Sequence, residues 1–352
     1  MADWEFAAYV ALGLCVLSWI WTKISGPGFN VAHKHVFVTG GSLGIGLEVA
    51  KKYAAAGAKV SIISRNEKNL KTAKAAIESV QPKEGAEPVF TQSCDVTDYA
   101  AVQASVQAAT KFHGRAVDFL VCSAGIIPPK YFIEHDVAEH HRLFDVNYFG
   151  VVHAINAALP GMLKEPADQR RRIIIVSSAL GLASWVGYTQ YSGSKFALRG
   201  LAEALRNELK MYNIDVSIFY PSNCDTPGFD GGSDGPRPIE ARIIAAPSAV
   251  ATPAAAATAL INGVKNGEFA ITNDPLIFLL RIIGNGVTPR VNTPLEVLLM
   301  PIVVVIQSVF VWFMDTVVVL CAHYKARAKA GNPNAGYTFV CNLLQPQKKA
   351  AL

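Results

Sequence analysis

Residues 35–39, HVFVT, run directly into residues 39–46, TGGSLGIG, and then into LEVAKKYAAAG, whose apolar positions recur at helical spacing up to Gly57. A β-branched strand that turns through closely spaced glycines into a helix restricts the choice of fold more than any other feature of this chain. Gly40 suits a tight turn, Gly44 a close approach of backbone to a bulky anion, and Gly46 the packing of helix against strand; Ser42 and Ile45 belong to the same loop. A helix N-terminus placed this way presents unpaired N–H groups to phosphates, so the loop is read as a dinucleotide-binding turn. An ordinary strand-to-helix turn is the alternative.

Five further runs rich in β-branched and aromatic residues follow, at 59–63, 88–93, 118–122, 172–177 and 215–220, separated by longer stretches with helical spacing. This alternation predicts an α/β fold, a doubly wound parallel sheet covered on both faces, over residues 30–272. Within it, residues 230–238, DGGSDGPRP, read as a mobile loop. The Ala-rich stretch 245–260 reads as helix interrupted by Pro247 and Pro253.

Half of the 352 residues are hydrophobic (51%), and two apolar segments lie outside this domain. Residues 6–21 carry no charge and are bracketed by Trp4, Trp19 and Trp21, as in a membrane helix with aromatic ends. Asp3 and Glu5 precede the run and Lys23 follows it, the reverse of a secretory signal. Residues 1–25 are therefore expected to be an uncleaved transmembrane anchor, with Lys23 and everything beyond on the cytosolic side. The second segment, 295–322, lies in a membrane-associated stretch 273–325 and is interrupted by Glu296, Pro301, Gln307 and Asp315. A single crossing would carry Lys325, Arg327 and Lys329 to the far side, against the positive-inside tendency. The expectation is a re-entrant or interfacial hairpin, with a buried helix of the globular domain as the alternative. Residues 326–352 read as a polar tail.

The formal net charge of +5 is modest and no basic run is interleaved with aromatics. No nucleic-acid partner is implied, and the excess positive charge suits an anionic membrane surface. Cys15, Cys94, Cys122, Cys224, Cys321 and Cys341 show no CxxC spacing, so neither a metal site nor a disulfide framework is expected. No Asn-x-Ser/Thr acceptor with a permitted middle residue occurs, which fits a reducing, cytosol-facing domain.

Arg65 stands at the end of the second strand, where an acidic residue would bind a ribose 2′-hydroxyl. A guanidinium there matches a 2′-phosphate and points to NADPH as cofactor; a solvated loop arginine is the alternative. Asp95 and Val96, at the end of the third strand, occupy the usual place of adenine contacts.

Tyr191 and Lys195 are four residues apart in a helical stretch and so share one face. A free phenol has a pKa of about 10, and a neighbouring ammonium favours the phenolate, so the pair is a candidate acid/base; an aromatic helix face with a snorkelling lysine is the alternative. Ser178, ending the fifth strand, places a hydroxyl at the carboxyl edge of the sheet, while Ser177 faces the other way. Asn147 is either a proton-relay residue or a core amide bonded to backbone.

The set formed by residues 39–46, Asp95, Asn147, Ser178, Tyr191 and Lys195, in this order and spacing, resembles the short-chain dehydrogenase/reductases over about residues 34–229. The resemblance implies a Rossmann-like fold and a nicotinamide cofactor. It gives Tyr191 the acid/base role, makes Lys195 its partner and a ribose contact, sets Ser178 on the carbonyl and Asn147 in the relay, and lays Pro221 to Thr226 over the nicotinamide. It also implies pairing into a homodimer. One departure is Cys122-Ser123-Ala124-Gly125, where the family usually carries an asparagine that supports the sheet edge. Residues 196–229, with the apolar ends, are most similar to those members that reduce a long-chain sphingoid ketone drawn from the bilayer, on the endoplasmic reticulum membrane with the catalytic domain facing the cytosol. A steroid or retinoid ketone is the alternative substrate. A lipid-binding scaffold without turnover is the alternative of another class. The loop 230–238 with residues 275–284 is the expected lipid-facing mouth.

Overall fold

The computed structural model describes residues 5, 9–10, 12–17, 20, 30–164, 169–226, 237–246, 249–284, 286 and 289–329. Among these, seven strands form one parallel sheet: β1 (His35–Thr39), β2 (Lys59–Ser64), β3 (Phe90–Ser93), β4 (Phe119–Cys122), β5 (Arg171–Val176), β6 (Ile214–Tyr220) and β7 (Ala270–Thr272), in the order β3-β2-β1-β4-β5-β6-β7. Register is tight at the centre, where Thr39 lies opposite Ile63 on one side and Cys122 on the other. The helices are α1 (Gly44–Ala55), α2 (Glu67–Glu78), α3 (Tyr99–His113), α4 (Val137–Phe144), α5 (Gly150–Lys164), α6 (Thr189–Glu208), α7 (Ile239–Ala245), α8 (Pro253–Lys265), α9 (Pro275–Ile283) and α10 (Thr293–Lys329).

Strand periodicity divides the core in two. Phe37, Leu120, Cys122, Ile173, Ile175 and Ile218 pack under α3, α5 and α6, while their neighbours Val36, Val38, Val121, Ile174 and Phe219 pack under α1, α2 and α8. Both faces are dry, which is why the strand sequences are continuously apolar. Each fully buried Val, Ile, Leu or Phe contributes roughly 1.5–3 kcal/mol. Helix starts follow their capping residues: the side chains of Asn66, Asp98 and Thr252 accept the N–H of Asn69, Ala101 and Ala255. Thr252 explains the fate of the Ala-rich stretch, since Pro253 occupies the first turn of α8, where its missing N–H is no loss.

Two departures from expectation concern the last third of the chain. The three-residue strand β7 pairs with β6 and extends the sheet, but it is too short to show a period in the sequence. The C-terminal apolar segment is no hairpin: α10 is one continuous helix of 37 residues that passes through Pro301. Its stretch Thr293–Cys321 is long and apolar enough to cross a membrane. Of the two charges that interrupt it, Asp315 is exposed, while Glu296 is fully buried and bonds Arg281 of α9 at 2.5 Å and Arg290 at 3.2 Å. It therefore faces protein and not lipid.

The proposed N-terminal anchor falls largely outside the described residues. Those described, including residues 12–17, are helical, with Leu12, Leu14, Val16 and Leu17 exposed. The Cys15 carbonyl accepts a hydrogen bond from Asn292 Nδ2 at 3.2 Å, so the two apolar ends of the chain meet beside the first turn of α10.

At the amino edge of the sheet, His35 is buried. Its Nδ1 lies 3.0 Å from the Arg115 carbonyl, and its Nε2 lies 2.8 Å from the Ser61 hydroxyl, which also meets His113 Nε2 at 3.1 Å. Burial, reinforced by His113, pushes the His35 pKa down to about 4. The unfolded chain protonates near 6.5, so the stabilisation is present above pH 6.5 and is lost as pH falls towards 4. It amounts to about 3 kcal/mol. Unfolding free energies measured across this window should fall steeply for the native chain and less for His35→Gln.

Candidate active site

The carboxyl ends of β1, β4, β5 and β6 open into one cleft of about 440 Å³, where the strand order reverses about β1 and β4. Helices on opposite faces of the sheet part there and leave a crevice. The glycine loop forms one wall. Gly40 has φ +68°, and a Cβ there would lie 2.8 Å from the Ala124 backbone; a Cβ on Gly46 would lie 2.4 Å from the Gly40 carbonyl oxygen. Any side chain at either position would force the loop away from the strand and spoil the approach of a phosphate to the first turn of α1.

The Thr39 hydroxyl accepts the backbone N–H groups of Ser123 and Ala124 at 3.2 and 3.3 Å. This brace holds the β4 edge beside the glycine loop, at the point where Cys122 and Ser123 replace the expected asparagine. Thr226, beyond β6, leans over Gly44 from above, with its Cγ2 only 3.1 Å from where a Cβ would stand.

At the far end, exposed Arg65 lines the rim and makes no ion pair among the described residues. Asp95 shares that end; its Oδ1 accepts the Thr97 N–H at 3.0 Å and hydroxyl at 2.9 Å. Ser42, Ile45, Val96 and Pro221 also line the cleft. The Gly40–Gly46 cradle, the unpaired guanidinium and the length of the crevice fit a dinucleotide phosphate backbone.

In the middle of the cleft lie Ser178, Tyr191 and Lys195. Ser178 follows β5 and caps a short turn by accepting the Leu180 N–H at 3.1 Å. Neighbouring Ser177 is turned inward, as strand alternation requires, and donates to the Lys195 carbonyl. Tyr191 and Lys195 come from the first two turns of α6. Lys195 Nζ donates to the Val176 carbonyl at 3.1 Å and stands 5.5 Å from the centre of the Tyr191 ring.

The electrostatics differ from the sequence-based expectation. Burial pushes the Tyr191 phenol up to about 12, only partly offset by its hydrogen bond with Ser178. Burial also pushes Lys195 down to about 8. Desolvation thus outweighs the ammonium–phenol attraction, because Lys195 is held by a backbone carbonyl and not by the phenol oxygen. The arrangement keeps Tyr191 protonated at neutral pH.

Asn147 alone among the expected residues does not line the cleft. It sits fully buried in the turn between α4 and α5, where its Oδ1 accepts the Ile126 N–H at 2.8 Å while its Nδ2 donates to the Ile126 carbonyl at 2.9 Å and meets Ser194 Oγ at 3.2 Å. Its amide clamps the loop after β4 behind Lys195. Residues 230–236 of the expected mouth lie outside the described residues, and α9 packs against α10 and β7 and does not line the cleft. The apolar end is instead made by Ile127, Leu180, Trp185, Tyr188 and Ala245. The missed signal was the three-residue spacing of Trp185, Tyr188 and Tyr191.

A family model described as short chain dehydrogenase matches residues 34–234. The chain is 34% identical over 285 residues to a 3-ketodihydrosphingosine reductase of Dictyostelium discoideum, covering 78% of this chain and 85% of that one. It is 32% identical over 332 residues to a 3-dehydrosphinganine reductase of Danio rerio, covering 93% and 98%. Among solved structures, a short chain dehydrogenase/reductase of Burkholderia phymatum in complex with NAD has the same fold, with TM-score 0.64, 23% identity, and coverage of 74% of this chain and 95% of that one. A dehydrogenase/reductase of Sinorhizobium meliloti superposes with TM-score 0.60 at 28% identity, over 70% and 96%. With Tyr191, Lys195 and Ser178 gathered at the switch point of such a sheet, and with that match running through both halves of it, the chain belongs to the short-chain dehydrogenase family of oxidoreductases.

Proposed function

We propose that this chain reduces the ketone of a long-chain sphingoid base to the alcohol with NADPH, as a step in sphingolipid synthesis. The observation that carries the reading is the reach of the similarity: relatives named for this reduction align at 32–35% identity, in one case over 93% of the chain, well beyond the catalytic domain.

A nicotinamide held in the cleft would supply the hydride for the carbonyl carbon. The chain's own residues manage the oxygen. Ser178 donates a hydrogen bond to the carbonyl and steadies the charge that develops there. Tyr191 donates its proton to the nascent alkoxide. A phenol held near 12 remains a competent donor, since the alkoxide that takes the proton is a far stronger base than the phenolate left behind. Lys195 keeps a positive charge close to the phenolate left behind, and Asn147 fixes the backbone that lies between it and Lys195.

Arg65 supports NADPH over NADH, as the one cation among the described residues that lines the adenosine end of the cleft without an acidic partner. Arg65→Ala should raise the KM for NADPH by roughly 10- to 100-fold and that for NADH little, because only the 2′-phosphate loses a charged hydrogen bond. An equal loss for both cofactors would remove Arg65 from this role.

Residency at the endoplasmic reticulum membrane, with the catalytic domain facing the cytosol, belongs to the same proposal. It is supported by the apolar outer face of α10, where Val305, Val309, Trp312 and Leu320 are exposed, and by the bond that ties the N-terminal apolar segment to that helix. Turnover of the sphingoid ketone should exceed that of a steroid or retinoid ketone at equal concentration in the same detergent. The reverse order would transfer the function to those substrates.

A further inference from the structure

Four aromatic rings stand in series from the reacting phenol to the C-terminal helix. Ring centres are 6.3 Å apart from Tyr191 to Tyr188, 6.3 Å from Tyr188 to Trp185, and 6.4 Å from Trp185 to Phe310 of α10. The last two pairs meet edge to face, at 89° and 84°, an arrangement that orients as well as packs. Tyr191, Tyr188 and Trp185 line the cleft, whereas Phe310 lies outside it, in an apolar cluster with Ile244 of α7 and Val317 and Cys321 of α10. Helix α7 belongs to both. Its last residue, Ala245, lines the cleft, and its neighbour Ile244 packs in the cluster. The apolar end of the cleft therefore stops one residue short of the seam between α7 and α10.

Two more observations mark this seam as a path for a ligand and not only a packing contact. Phe310, Val317 and Cys321 form one stripe of α10 turned to the domain, while Val309, Trp312 and Leu320 on the other side are exposed, so the seam lies between the apolar end of the cleft and the apolar outer face of the helix. The indole N–H of Trp185 is buried without an acceptor among the described residues. An unpaired buried donor is costly, and an oxygen of a bound ligand would relieve it.

We infer that the seam between α7 and α10 is the tract that holds the hydrocarbon chain of the substrate, with Trp185 at its junction with the head-group site. The inference rests on the reading of the cleft as a reductase site for a long-chain amphiphilic ketone. The chain would remain among the apolar side chains of this cluster, and discrimination by length follows, because each methylene buried in an apolar pocket adds to binding.

The test uses full-length protein in detergent and a sphingoid ketone carrying a diazirine midway along its chain. Photolysis followed by peptide sequencing should place the label on Trp185, Ile243, Ile244, Phe310 or Val317. Label confined to the outward residues Val309, Trp312 and Leu320, or to sites elsewhere, would overturn the tract. Reduction of the same probe is scored separately. Label in the seam without reduction would leave the tract standing and refute the proposed function; reduction without seam label would do the opposite; neither would refute both. Trp185→Ala supplies a second measure: the ratio of kcat/KM for the long-chain ketone to that for a short, water-soluble homologue with the same head group should fall about tenfold. An unaltered ratio would also overturn the tract.

Discussion

Tyr191→Phe will lower kcat by on the order of a thousandfold while the affinity for NADPH stays within about tenfold of the native value. The substitution removes one oxygen from a partly buried ring and leaves the packing of that ring against Tyr188 intact. What it removes chemically is the proton donor that stands beside Ser178. Without it the alkoxide must take its proton from water or from another side chain. Steady-state kinetics together with titration of NADPH fluorescence separate the two quantities. A fall in kcat of less than tenfold would mean that another group, Lys195 or Ser178, carries the proton. Equal loss of turnover and cofactor affinity would mean that Tyr191 serves binding.

Glu296→Ala will destabilise the protein by about 3–5 kcal/mol, because it strands the Arg281 guanidinium in a place where neither partner touches water. Glu296 also accepts the backbone N–H groups of Val291 (2.9 Å) and Asn292 (3.4 Å), which form the turn that leads into α10. Two nitrogens of Arg281, Nε and Nη1, already lack partners, so no acceptor among the described residues takes the place of the carboxylate. The thermal midpoint in detergent should drop on the order of ten degrees. Arg281→Met combined with Glu296→Leu should recover most of the loss, since a buried pair replaced by apolar groups of similar size is close to neutral. If Glu296→Ala leaves the midpoint where it was, the carboxylate does not seat α10 on the catalytic domain.

What could be read from the sequence follows the range of the forces involved. The five inner strands and the helices between them were visible because burial on both faces imposes a continuous local pattern, the edge strand β3 through its β-branched and aromatic residues, and the glycine loop because steric exclusion at Gly40 and Gly46 admits no other residue. Tyr191, Lys195 and Ser178 were legible through spacing along a helix and at a strand end. Their protonation was not, since it depends on how deeply the fold buries them, and burial opposes the charge attraction that adjacency suggests. Asn147 could be named, but its clamp on Ile126 joins residues 21 positions apart and leaves no local trace. The hairpin expected near the C-terminus failed for a similar reason: Glu296 interrupts the apolar run, but its partner, Arg281, lies in a different helix.

The most direct measurement is the ketone-dependent oxidation of NADPH by detergent-solubilised full-length protein supplied with 3-ketodihydrosphingosine, with mass-spectrometric identification of the lipid formed. The account predicts one sphinganine for each NADPH consumed and a much slower reaction with NADH. Cofactor binding without any sphinganine, or oxidation of NADPH that ignores the ketone, would contradict it.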